Sequence, residues 1–128
     1  MSYQHRFYIV EKTKASYDPK LDKHYAINLC MFELGPMGEM HDVIKKYQPT
    51  NCFIYEPGNG DEECVEDCYG DPLIEIHIDD MIWEIRQLLH DMDGVENKLI
   101  VFYEILMAFR HCETESKHNQ IVCLHYGH

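Results

Sequence analysis

The stretch LIEIHIDDMIWEIRQLLHDM, residues 73–92, changes its hydrophobic period midway. Over residues 73–78, Ile74, Ile76 and Ile78 alternate with Glu75 and His77, the pattern of a strand with one buried face. From Met81 onward the apolar residues recur at helical spacing. Met81, Ile82, Ile85, Leu88, Leu89 and Met92 make one stripe. Asp79 or Asp80 is expected to cap this helix, where carboxylates suit the positive end of the dipole. Asp93-Gly94 ends it. A strand feeding directly into a helix, each with a single apolar face, predicts helices packed on one side of a sheet.

The flanking segments extend the pattern. Residues 6–11 and 24–34 read as strands that form a hairpin, with a loop over 12–23 marked by Tyr17-Asp-Pro-Lys. In the second strand Tyr25, Ile27, Leu29 and Met31 are expected on one face, and Ala26, Asn28, Cys30 and Phe32 on the other. Residues 37–47 predict a short amphipathic helix stopped by Pro49, residues 52–56 a strand, and 57–72 a Gly- and acid-rich loop. Residues 96–112 predict a more buried helix, although the apolar run 99–103 is equally compatible with a strand. Residues 120–126 complete the set as a last strand. The expected architecture is one α+β domain over residues 1–128. It has a mostly antiparallel sheet of about five strands with two to three helices, in the order β-β-α-β-β-α-α-β.

At 128 residues with 45% hydrophobic content, one domain can bury roughly two-thirds of its unfolded surface without metal or disulfide staples. No apolar run approaches the roughly 20 residues of a membrane-spanning helix. The first residues lack a signal-peptide core, so a cytoplasmic location is expected, with Cys30, Cys52, Cys64, Cys68, Cys112 and Cys123 reduced.

Charge is the strongest functional signal. Between Tyr47 and Ile85 there is no Lys or Arg, yet eleven carboxylates: Glu56, Asp61, Glu62, Glu63, Glu66, Asp67, Asp71, Glu75, Asp79, Asp80 and Glu84. The formal charge of the chain is −12, and this segment holds −11 of it, against +1 for residues 1–46 and −2 for residues 86–128. Such a field disfavours phosphate backbones and anionic membranes and favours a cationic partner. A solvated face that confers solubility has the same composition. Trp83, the sole tryptophan, sits opposite the apolar stripe with Arg86, Gln87 and His90. With Tyr69 it is a candidate aromatic anchor beside the carboxylates.

These features lead to the expectation of a non-enzymatic acidic binding module. It would block a basic partner that itself binds nucleic acid, a nuclease among them, in the manner of an immunity protein, a viral anti-defence inhibitor or a nucleic-acid mimic. Two alternatives remain open. Glu75, His77, Asp79 and Asp80 are suitable for general base or metal-dependent hydrolase chemistry if the strand carries three of them on one side. Cys64 and Cys68, with Cys112, His118, Cys123 and His125, are weak candidate ligands for structural zinc. P-loop, dinucleotide-binding, GxSxG and HExxH patterns are absent from the sequence.

Overall fold

The structure, a computed structural model, describes residues 3–18, 20, 23–55, 63–91, 97–115 and 120–128. Among them the chain forms strands β1 (His5–Asp18) and β2 (Lys23–Gly35), helix α1 (Gly38–Ile44), strands β3 (Cys52–Tyr55), β4 (Glu63–Cys64) and β5 (Ile74–His77), helices α2 (Ile78–Asp91) and α3 (Asn97–Glu115), and strand β6 (Gln120–Gly127). The α+β reading holds. The six strands lie in the order β4-β3-β2-β1-β6-β5. Four of the five pairings are antiparallel, and β2 with β3 is parallel, so the sheet is mixed. Helix α3 runs unbroken through the ambiguous segment 99–103. The strands of the first hairpin extend well into the expected loop 12–23.

The helices pack on one face of the sheet. Phe7 and Ile9 of β1, Ile76 of β5 and Ile121 and Cys123 of β6 meet Met40 and Val43 of α1, Met81 and Ile85 of α2, and Leu99, Phe102 and Leu106 of α3. Phe102 anchors the layer, with its ring centroid 5.1 Å from that of Phe7 and stacked 4.8 Å from Phe32. The opposite face has its own core of Tyr8, Val10, Ala26, Cys52, Ile54, Leu73, Val122 and Leu124. It is covered because the sheet curls. Pro49, just ahead of β3, bridges to Ile74 at the far edge, and Thr50 N–H donates to Leu73 O at 2.9 Å. Strand β6 is therefore buried on both sides.

A bulge decides how β2 is shared between the two cores. Ile9 pairs with Cys30 but Val10 pairs with Asn28, which leaves Leu29 as an extra residue. An extra residue inverts the alternation beyond it. Phe32 and Cys30 consequently face the helices while Ala26, of the same parity, faces the other core. The regular alternation expected for residues 24–34 is corrected on this point.

Candidate interaction surface

The expected acidic loop is in part a built turn. Asp67 N–H donates to Asp71 O at 2.8 Å, and Gly70 N–H to Asp67 O at 3.1 Å. The Asp67 carboxylate accepts the N–H groups of Tyr69 at 2.9 Å and Asp71 at 3.0 Å, a side chain standing in for backbone as Asp does in turns. Gly70 supplies the positive φ of 80°. Glu66 bridges to Pro72 at the base, Leu73 N–H donates to Val65 O, and Cys68 N–H donates to Gly127 O of β6 at 3.2 Å. The turn is thus fastened to the sheet, and it holds Tyr69 49% exposed.

Beneath Tyr69 lies an aromatic and histidine cluster that sequence reasoning missed. Tyr3 stacks on Tyr69 at 5.2 Å and lies 4.7 Å from the His41 ring of α1 and 5.1 Å from the His5 ring. A Cβ on Gly127 would overlap the Tyr3 ring, so a larger residue there would displace Tyr3 from this seat. That glycine inside a strand was the one sequence signal of close approach. His5 and His125 are buried. One nitrogen of His5 faces the Met37 carbonyl at 3.1 Å, so it carries the proton; the other then accepts from His125 Nε2 at 2.8 Å. Burial, reinforced by His41, pushes His5 down to about 4. Burial, with His5 and His41, pushes His125 down to about 3. Both rings are neutral near pH 7. Burial and then the charges of Asp67 and Asp71 push the Tyr3 phenol up to about 12.

The carboxylates divide into two groups. Glu66, Asp67, Asp71 and Asp80 face solvent wholly or partly, and none pairs with a cation among the described residues. Three others are engaged. Glu84, expected on the acidic surface, is buried; Lys46 Nζ lies 3.1 Å from both its oxygens and the Tyr47 hydroxyl donates to it at 3.2 Å. It falls one residue from Trp83, on the flank of the helix that α1 and its following turn cover. Glu75 lies beside the second core, where it accepts from Thr50 at 2.9 Å, from the Cys52 thiol at 3.3 Å and from Lys12 at 3.3 Å. Asp79 pairs with Arg110 Nε of α3 at 2.6 Å. Glu56, Asp61, Glu62 and the side chain of Glu63 lie outside the described residues.

Trp83 is on the outer face of α2, 52% exposed. Its described neighbour is a cation, with Lys46 Nζ 5.9 Å from the ring centroid. Tyr69 therefore belongs with Glu66, Asp67 and Asp71, and Trp83 belongs with Lys46 and Glu84.

The expected catalytic constellation does not form as a row. Strand β5 ends at His77 and α2 begins at Ile78, so Asp79 leaves the strand direction. The His77 ring accepts the Asp79 N–H at 3.2 Å, which makes His77 the helix cap in place of Asp79 or Asp80. Burial pushes the Cys52 thiol up to about 11 and raises Cys123 further, which keeps both protonated and poorly nucleophilic. All six cysteines are free. Of the zinc candidates, Cys123 faces the helical core and His125 the His5 cluster, Cys64 lies on β4, Cys68 and Cys112 are exposed, and His118 lies outside the described residues. No three His, Cys, Asp or Glu side chains converge as metal ligands among the described residues. No helix among them is long and apolar enough to cross a membrane.

Fold and surface together define a small α+β domain with a second core under a curled sheet and a fixed acidic turn. No protein-family model, curated protein or solved structure matches the chain.

Proposed function

We infer that the chain is a non-enzymatic binding module that occupies a basic surface of another protein, most simply a nucleic-acid-binding protein such as a nuclease. One observation carries this reading. The turn around Asp67 is pinned by its own hydrogen bonds and by Gly127, and it offers a half-exposed Tyr69 flanked by Glu66, Asp67 and Asp71, which find no cation among the described residues. A preorganised aromatic with unneutralised carboxylates loses little entropy on docking and gains most from a cationic surface. The ring supplies contact area, and the carboxylates set association rate and choice of partner. A protein that covers the basic cleft of a nuclease in this way excludes its substrate.

The test is capture of partners on the immobilised chain in low salt, followed by release above roughly 0.5 M salt, where exposed charges are heavily screened. The Glu66→Lys, Asp71→Lys double variant spares Asp67, which holds the turn. It should slow association with the captured partner by about tenfold or more at low salt and flatten its salt dependence. Unchanged kinetics in that variant would refute the assignment of the turn.

A further inference from the structure

Strand β2 runs from Lys23 to Gly35, but β3 pairs with it only at His24, Tyr25 and Ala26. Along residues 27–34 the side of β2 away from β1 has no strand partner among the described residues. Alternate residues of a strand turn both N–H and C=O to the same side, so about half of residues 27–34 offer both groups to the open edge. The Met31 carbonyl has a long contact at 3.8 Å from the Cys30 thiol.

The same stretch carries exposed apolar side chains: Ile27 is 47%, Leu29 40% and Met31 48% accessible. Residues 24–32 contain no Asp, Glu, Lys, Arg or Pro. Sheet edges are ordinarily guarded by Lys, Pro or inward charges; among the described residues this one has the bulges at Leu29 and Leu34 and, near its end, Glu33 engaged by Arg6 and His128. An open apolar edge is a template for another strand, because its backbone groups and its side chains are satisfied by the same extended segment. Two occupants compete. A second copy would bring a charge of −12 against −12, whereas a cationic segment is drawn in by that same charge.

We propose that residues 27–34 of β2 form a strand-addition site for an extended segment of a partner protein, with apolar side chains at alternate positions and Lys or Arg between them. Hydrogen bonds to the β2 edge supply the docking geometry. The apolar positions cover Leu29 and Met31, and the cations answer the charge of the body. The inference rests on the reading that the partner is cationic, but not on the Tyr69 turn being its contact.

The test uses the isotope-labelled chain and a synthetic peptide of alternating lysine and valine, alongside the same peptide with every backbone amide N-methylated. The methylated form keeps charge and side chains but cannot donate to an edge. The expected result is amide shifts confined to residues 27–34 with the unmodified peptide and none with the methylated one. The Leu29→Lys, Met31→Lys double variant, checked for unchanged thermal unfolding, should bind about tenfold more weakly, the effect of two unfavourable cross-strand pairs. Equal binding of both peptides, with shifts centred on residues 66–71, would overturn strand addition and leave the acidic turn as the cation site. No binding of either peptide would overturn it too. Light scattering that shows a concentration-dependent dimer joined through residues 27–34 would assign the edge to a second copy instead. Binding at β2 together with indifference of captured partners to the Glu66 and Asp71 changes would support the edge and refute the turn.

Discussion

His5 and His125 are held neutral in the fold, each with one ring nitrogen donating and the hydrogen-bonded chain ending on the Met37 carbonyl. In the unfolded chain both rings take up protons near their ordinary value of about 6.5. Between there and the folded values of about 4 and about 3, the unfolded state binds more protons than the native state. Their contribution to stability is therefore complete above pH 6.5 and is lost as pH falls, by up to about 1.4 kcal/mol per pH unit for each histidine. Urea unfolding at a series of pH values should show this loss between pH 6.5 and 4. His125→Phe should lower stability at pH 7 and make the acid limb shallower. A variant limb as steep as that of the parent chain would show that the pair is not the source. The sequence displayed these histidines only as scattered members of the two ends. A buried imidazole pair depends on β1 and β6 lying side by side, which periodicity does not encode.

Strand β2 owes its two-sided role to one extra residue. Because Leu29 has no partner on β1 while the pairs on either side of it are intact, its removal leaves Cys30 and Asn28 in register as an ordinary ladder. Deleting Leu29 should give a folded chain with near-parent stability, whereas deleting Tyr8 from β1, where there is no spare residue, should abolish cooperative unfolding; circular dichroism with thermal melting separates the two. The existence and type of the main elements were legible in the sequence, because α2 and β5 each keep one period throughout and β6 is a short apolar run rich in β-branched residues. The bulge was not legible, since an alternating apolar run reads the same with or without a skipped residue. Nor was the cap of α2. Two aspartates looked like the start of the helix, but Ile78 enters its first turn to reach the core and leaves the ring of His77 at the capping position.

At the scale of the whole molecule the formal charge of −12 opposes compaction. Glu75, Asp79 and Glu84 are answered by Lys12, Arg110 and Lys46; Glu66, Asp67, Asp71 and Asp80 are not answered among the described residues. Net repulsion is screened by salt, whose Debye length falls from ~10 Å at 0.1 M to ~3 Å at 1 M. The melting temperature should therefore rise as sodium chloride is added from low ionic strength, and a fall would mean that the internal ion pairs outweigh the repulsion. The acidity of the middle third was plain in the sequence. Its division into engaged and solvent-facing members was not, because every cation that answers it comes from outside that third, from β1, from the turn after α1 or from α3.

Strand β6 lies between β1 and β5, yet it is the last element along the chain. Before β6 is made, β5 can pair only with the segment 48–50, and β1 has a companion on one flank only. Closure of the sheet, and with it the seating of Tyr3 over Gly127, must wait until translation has passed that glycine. Closing the sheet thus joins distant parts of the chain, a slower step than forming the local β1–β2 hairpin.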